Sequence, residues 1–208
     1  MPASTPLIPG AAGPPAPRLS PRMRGFLLFV LILAAALSRL VPHPPNFSPI
    51  EAMALFGGAY FMHRTWAVLA PLIAMLVSDF LLGLTMGGIY LEYFVSAHFL
   101  TIYACIALCA VLGFTLRERV GSLRVLGCAI AGSLLFFLLT NYAVWLTATD
   151  IATSPACGRS LGACYLAAVP FLKWTLLGTL FYAALLFGGY ELLQRRLPSL
   201  RAPRLAVS

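Results

Sequence analysis

Isolated charged and polar side chains interrupt a sequence that is otherwise strongly apolar, and they are the residues most able to do chemistry. Arg39, Glu51 and Asp79 stand within or at the edges of aliphatic runs, where an ionised group is costly and is therefore typical of a ligand or ion site. The alternative is a buried ion pair, Arg39 with Asp79 or with Glu51, that only fixes the register of packed helices. The predicted substrate-binding residues are Arg39, His43, Asn46, Phe47, Glu51, Asp79, Tyr93, Asn141, Trp145 and Tyr165, and Glu92, His98 and Lys173 belong to the same polar set.

The segment 42–49 is the most distinctive local sequence, with four prolines in eight residues. Proline restricts the backbone, so this segment has little conformational freedom to lose when a ligand binds. A rigid loop of this kind can hold His43, Asn46 and Phe47 over a pocket. The alternative is a stiff connector with no part in binding.

Two pairs stand out among the five cysteines. Cys157 and Cys164 fall in a predicted loop with flexible glycines between them, and on the oxidising side of a membrane such a pair is expected to form a disulfide. The alternative is a redox-active or metal-binding pair, although no histidine or acid accompanies it at ligand spacing. Cys105 and Cys109 are one helical turn apart, and we expect small buried hydrophobes there rather than soft-metal ligands.

Sequence motifs for the common catalytic chemistries are absent. There is no GxxxxGK[ST] phosphate-binding loop, no HExxH zinc motif and no GxSxG nucleophile motif. We therefore predict that the chain is not an enzyme, does not hydrolyse ATP itself and uses no cofactor or metal ion. Nucleic-acid binding is not expected either, because the arginines behind the net charge of +8 form separate short clusters without interleaved stacking aromatics.

The composition places these residues in a lipid bilayer. Of the 208 residues, 61% are hydrophobic and only 10% are charged, whereas a soluble domain has about 25% charged residues. No soluble fold of this length buries so much apolar surface. We predict an all-α polytopic membrane bundle, with a disordered Pro/Ala-rich tail over residues 1–23, a six-helix membrane domain over 24–196 and a basic tail over 197–208. The apolar runs cover residues 25–41, 50–62, 66–84, 89–116, 123–148 and 169–193.

Arginines mark alternate loops and so predict the orientation. They lie at Arg18, Arg22, Arg24, Arg64, Arg117, Arg119, Arg124, Arg195, Arg196, Arg201 and Arg204, whereas the remaining loops contain only Arg159. By the positive-inside rule, both termini are cytoplasmic in a bacterial inner membrane, and most of the polar candidates lie near the outer surface. The first run also has features of a signal peptide, but its length and the Pro-rich turn beyond it favour a retained helix. The second run measures only about 24 Å as a helix, so we expect a thinned bilayer or a start below the membrane surface.

Several stretches of the sequence resemble a known group of proteins. They are residues 39–49, residues 54–61, Ser78-Asp79, Thr140-Asn141 with Trp145, Cys164-Tyr165, Pro170-Phe171 and Leu177-Gly178. Together they resemble an uncharacterised bacterial family of small membrane proteins described as transporters. That family is in turn similar to the substrate-binding S-components of energy-coupling-factor (ECF) vitamin transporters.

This resemblance implies a six-helix bundle that binds a vitamin, such as cobalamin, or another small molecule near the outer surface. Its partners would be a scaffold membrane protein and two ATPases, which fits the missing phosphate-binding loop, and the small residues Ala34, Ala35 and Ala36 would suit docking to the scaffold. Two alternatives stay open: a membrane redox or assembly protein that uses Cys157 and Cys164, and a structural subunit without a ligand.

Overall fold

The computed structural model describes residues 19–87, 94, 96–148 and 155–200, and across these residues the chain is helical with no β-strand. The helices are α1 (Pro21–Leu37), α2 (Ile50–Tyr60), α3 (Arg64–Met86), α4 (Ala97–Gly113), α5 (Ser122–Thr147), α6 (Leu161–Ala183) and α7 (Gly189–Arg196). Short 3-10 turns follow α1, α4 and α7, and a π-helical turn, Ala184–Gly188, joins α6 to α7. The predicted all-α fold is confirmed.

Among the residues that the structure describes, five helical segments are long and apolar enough to cross a membrane, as a multi-pass membrane protein requires: Pro21–Leu40, Arg64–Thr85, Ala97–Leu116, Ser122–Thr147 and Leu161–Arg196. Large aliphatic side chains such as Leu100, Leu123 and Leu166 project from them into the surroundings, where lipid replaces water as the favourable solvent. The predicted second span differs, because α2 has only 11 residues. At 1.5 Å per residue it is about 16 Å long, roughly half of a hydrocarbon core.

Helix α2 forms the centre of the bundle. All of its residues from Ile50 to Ala59 are buried, which is expected of a helix that is apolar on every side. Gly57 and Gly58 allow this packing: a Cβ atom at Gly57 would lie 2.9 Å from the carbonyl oxygen of Ala67 on α3, and one at Gly58 would lie 2.8 Å from Gly113 Cα on α4. Small residues let helices approach closely where lipid supplies no hydrophobic driving force.

The Pro-rich loop enters the bundle before α2 begins. Phe47 N donates to Pro44 O at 3.1 Å across a tight turn, and Asn46 takes a φ of 64° there, a conformation that asparagine tolerates well. The backbone then lies against Gly178, where a Cβ atom would come within 2.7 Å of Ser48 N. Gly178 is near the middle of the 36-residue helix Leu161–Arg196. Helix α2 therefore starts inside the bundle.

The predicted arginine-bearing loops meet at one end of the bundle, called the basic end below. Arg24 Nε donates to the Tyr190 hydroxyl at 3.2 Å, and the guanidinium groups of Arg64 and Arg117 both lie against the ring of Phe114. Arg117 also donates to Gly58 O at 2.9 Å and closes the last turn of α2. Burial, with a smaller contribution from Arg64, lowers the pKa of Arg117. Which side of a membrane this end faces stays a prediction.

Ordered structure extends beyond both bounds of the predicted membrane domain over 24–196. Helix α1 begins at Pro21, inside the segment predicted as a disordered tail, because Ser20 caps it through Met23 N. Leu19 N donates to Ser199 O at 3.0 Å, and Leu200 is buried. Residues 1–18 and 201–208 lie outside the described part of the chain. The last long helix begins at Leu161 rather than near residue 169, so Pro170 is inside it and not near its start.

Candidate ligand cavity

A cavity of about 440 Å³ opens at the end of the bundle opposite the basic end. Its walls come from the end of α1, the Pro-rich loop, the first turn of α2, and α3, α4, α5 and α6. This volume is within the roughly 300–1,000 Å³ of small-molecule sites. We call it the polar cavity, because Arg39, His43, Asn46, Glu51, His98 and Asn141 all contribute to its lining. Five of the ten predicted binding residues, Glu51 among them, therefore line the same cavity.

Arg39 forms one wall of the polar cavity and is held by an ion pair. Its Nη1 atom lies 2.6 Å from Asp79 Oδ1 and also donates to Ser78 Oγ at 3.2 Å. Tyr103 donates its hydroxyl to the other Asp79 oxygen at 3.1 Å. Asp79 is completely buried, whereas Arg39 is 13% exposed. Asp79 therefore does not line the cavity: it is the counter-ion behind Arg39.

Glu51 occupies the first turn of α2 at the floor of the cavity, with 1% of its surface exposed. Thr179 donates its hydroxyl to Glu51 Oε2 at 3.2 Å, and Ser133 donates to Thr179 Oγ1 at 3.0 Å. Within the described residues, no basic side chain lies within 4.0 Å of the Glu51 carboxylate. Of the two counter-ions considered for Arg39, the structure thus selects Asp79 and leaves Glu51 with hydroxyl partners alone.

Asn141 on α5 and His43 in the Pro-rich loop also line the cavity. Asn141 donates its side-chain amide to Phe137 O one turn earlier at 2.8 Å, which fixes its orientation in the wall. His43 is exposed at the mouth and its Nδ1 donates to Pro44 O at 3.0 Å. Both groups are therefore positioned by neighbouring backbone carbonyls.

Three predicted binding residues face elsewhere. Phe47 packs on Phe181 and Tyr182, with ring centroids 5.7 and 5.9 Å away, and so attaches the loop to α6. Trp145 lies one turn beyond Asn141 and stacks on Tyr142 at 5.7 Å. The Tyr165 hydroxyl donates to Leu138 O at 2.8 Å and links α6 to α5. None of the three lines this cavity. Tyr93 lies outside the described residues.

Several cavity residues were not predicted. Met75, Thr140 and Thr175 line the walls, together with an aromatic group formed by Phe136, Phe137 and Phe171. Two groups of lining residues follow helical spacing: residues 137, 140, 141 and 144 on α5, and residues 168, 171, 172 and 175 on α6. Periodicity around Asn141 would have identified the first set.

The loop before α6 is held beside the cavity wall by a disulfide between Cys157 and Cys164. Cys164 is 1% exposed, and its sulfur lies 3.8 Å from the carbonyl oxygen of Asn141. Cys105 and Cys109 are free and buried. No group of three or more potential metal ligands occurs among the residues that the structure covers.

A protein-family model matches most of the chain. The model of a family of unknown function, DUF6580, matches residues 20–200, which include all of the helices described above. No curated protein and no solved structure matches the chain. The protein belongs to the DUF6580 family.

Proposed function

We propose that this protein is a membrane transport protein that binds a small molecule in the polar cavity. The observation that carries the proposal is the cavity itself: a space of about 440 Å³ with charged and polar walls inside a bundle whose surface is aliphatic. Polar residues at membrane depth are costly, and they are kept mainly along substrate and ion paths.

The broken second span supports this role. Non-helical backbone at membrane depth is tolerated where it is buried in protein or lines a cavity, and transporters commonly build their substrate sites from interrupted helices. Here the loop residues Pro45, Asn46 and Ser48 line the same cavity as the first turn of α2. The interruption and the candidate site therefore coincide.

The cavity volume limits the ligand. About 440 Å³ suits a compact molecule of a few rings at most. A corrinoid with a nucleotide tail, such as cobalamin, is much larger, so we favour a smaller vitamin or metabolite. In this proposal the protein works as an S-component does, and a separate scaffold protein and ATPases supply the energy, since the chain has no nucleotide-binding motif of its own.

Of the small residues suggested for docking to such a scaffold, Ala34 is exposed and the other two are not. Ala35 and Ala36 are buried within the bundle, and they pack in its core with Leu28 and Ile32. The exposed side of α1 instead presents Phe26 and Val30. A partner helix would therefore contact α1 through these larger side chains together with Ala34.

Native mass spectrometry of gently purified protein tests the binding role. We expect a small molecule to co-purify with the wild type and its occupancy to fall in Asn141→Ala, which changes a cavity wall. Tyr142→Ala is the matched control, since Tyr142 is the exposed neighbour of Asn141 on the same helix. A ligand retained equally by Asn141→Ala and Arg39→Ala would place the site elsewhere, and a protein that carries no ligand and binds none would contradict the proposal.

The two alternative roles have less support. A redox role needs the Cys157–Cys164 disulfide to open, yet Cys164 is almost completely buried, and reactive cysteines are normally accessible. Thiol trapping in cells that finds the pair permanently oxidised would remove that role. A purely structural subunit has no need of a cavity lined by both Arg39 and Glu51.

A further inference from the structure

We propose that the polar cavity takes a ligand with a positively charged nitrogen, and that this nitrogen pairs with Glu51. This inference rests on the proposed function, because it names the chemical class of the molecule that the same cavity binds.

The charge on Arg39 is already neutralised. Asp79 accepts from Arg39 Nη1, and the second oxygen of Asp79 accepts from Tyr103. This pair therefore contributes little net charge to the cavity. Glu51, by contrast, is buried to the same degree as Asp79 and has no cation within 4.0 Å among the described residues.

The hydrogen bonds around Glu51 favour its ionised form. Ser133 donates to Thr179, so the Thr179 proton points to Glu51, and the carboxylate receives a fixed donor. Glu51 also lies in the first turn of α2, where the helix dipole stabilises a negative charge. These interactions orient the carboxylate, but hydroxyl groups supply no opposite charge. A cation is the missing partner.

The cavity walls add a second preference for a cation. Phe136, Phe137 and Phe171 line the cavity that Glu51 borders, and the faces of aromatic rings attract positive charge. Such walls also exclude water from an ion pair and so strengthen it. An organic amine or quaternary ammonium group fits both features.

The competing explanation is that a proton on the carboxyl group, rather than a ligand cation, neutralises Glu51. A Glu51 that stays protonated would behave as glutamine does, and Glu51→Gln would then leave ligand binding unchanged. The charge-neutral substitution therefore separates a carboxylate that pairs with the ligand from one that only fills space.

The experiment uses purified protein in detergent and a panel of small aliphatic and aromatic primary amines. Each amine is compared with the alcohol and the carboxylate of the same skeleton at constant ionic strength. Ligands that bind the folded state raise its unfolding temperature. We expect amines to raise it more than their matched alcohols and carboxylates, and Glu51→Gln to weaken amine binding roughly 30-fold or more. Glu191→Gln is the control, because Glu191 is an exposed acid at the basic end whose only described ion pair is with Arg195.

Three results would overturn the inference: no amine in the panel stabilises the wild type, the alcohols or carboxylates stabilise it equally, or Glu51→Gln binds amines as the wild type does. If Glu51→Gln does not fold, the comparison of the three analogues on the wild type decides, and Glu51→Asp, which keeps the charge, should retain the preference for amines. Binding of a neutral or anionic ligand that Asn141→Ala weakens would refute the charge preference and leave the proposed function standing. A cavity that binds no small molecule refutes both.

Discussion

Gly178→Ala should disturb the polar cavity by displacing the Pro-rich loop that forms part of its wall. Gly178 is on the middle of the last long helix, with the Pro-rich loop directly against it. A Cβ atom there would lie 2.7 Å from Ser48 N and 3.1 Å from Phe47 Cα. Both neighbours are backbone atoms, so neither can rotate away as the end of a side chain would. The loop must move by roughly 0.7 Å to restore ordinary contact, and overpacking of this kind costs about 1–3 kcal/mol.

The displacement should reach the ligand site. Phe47 is held between Phe181 and Tyr182, one turn along the same helix, so the loop cannot shift without disturbing that packing. Ser48 and Glu51, which follow directly, line the cavity. We therefore expect Gly178→Ala to lower ligand occupancy together with the unfolding temperature, although no atom of residue 178 lines the cavity.

Thermal unfolding in detergent and native mass spectrometry measure the two effects on the same sample. Gly127→Ala is the matched control: it makes the same change inside α5 at a position where a Cβ atom meets nothing within 4 Å. That variant should unfold and bind as the wild type does. A Gly178→Ala protein indistinguishable from Gly127→Ala would show that the loop does not press on the last long helix as described.

Three further changes test the packing and the ion pair by thermal unfolding in the same detergent. Gly58→Ala should lower the free energy of unfolding by about 1–3 kcal/mol or more, because its Cβ would meet Gly113 Cα at 2.8 Å; equal stability to Gly127→Ala would contradict the close contact of α2 and α4. Arg39→Ala should lower the free energy of unfolding by about 3–5 kcal/mol, because it leaves Asp79 buried without a cation. The double variant Arg39→Met with Asp79→Leu should recover most of this stability. A double variant no more stable than Arg39→Ala would argue against a simple ion pair. Arg117→Ala should lower the free energy of unfolding by about 1.5–3 kcal/mol, since it removes two hydrogen bonds to backbone carbonyls at the end of α2. A variant as stable as the wild type would mean that water replaces these hydrogen bonds fully.

The long helices could be predicted from the sequence because each has a continuous apolar run bounded by polar residues. The arginine pattern also predicted which loops lie at the same end, since charge is excluded from lipid wherever it occurs along the chain. The ion pair of Arg39 was predictable as one of two alternatives. Choosing Asp79 over Glu51 required the packing of α1 against α3, which no local pattern contains.

The limits of the second span could not be predicted from hydropathy. Residues 50–62 read as one apolar run, but the helix ends at Tyr60, where Arg117 from the loop between α4 and α5 donates to the carbonyl oxygens of Gly58 and Phe61. The hydroxyl partners of Glu51 were also hidden, because Thr179 is 128 residues away along the chain. Threonine is common on membrane helices, and Thr179 contacts Glu51 only because α6 packs close to α2.

The short length of α2 and the proline content of the loop before it have one physical explanation. A helix of 11 residues leaves the rest of its path across the bundle to residues that are not helical, and each non-helical amide at membrane depth needs a hydrogen-bond partner. Proline has no N–H group, so Pro42, Pro44, Pro45 and Pro49 each remove one donor that would otherwise require a partner. The turn at Asn46 satisfies another donor through Phe47 N and Pro44 O. The prolines therefore reduce the number of backbone donors that need partners in the non-helical segment before α2, and this segment lies beside the polar cavity that Arg39, Glu51 and Asn141 border.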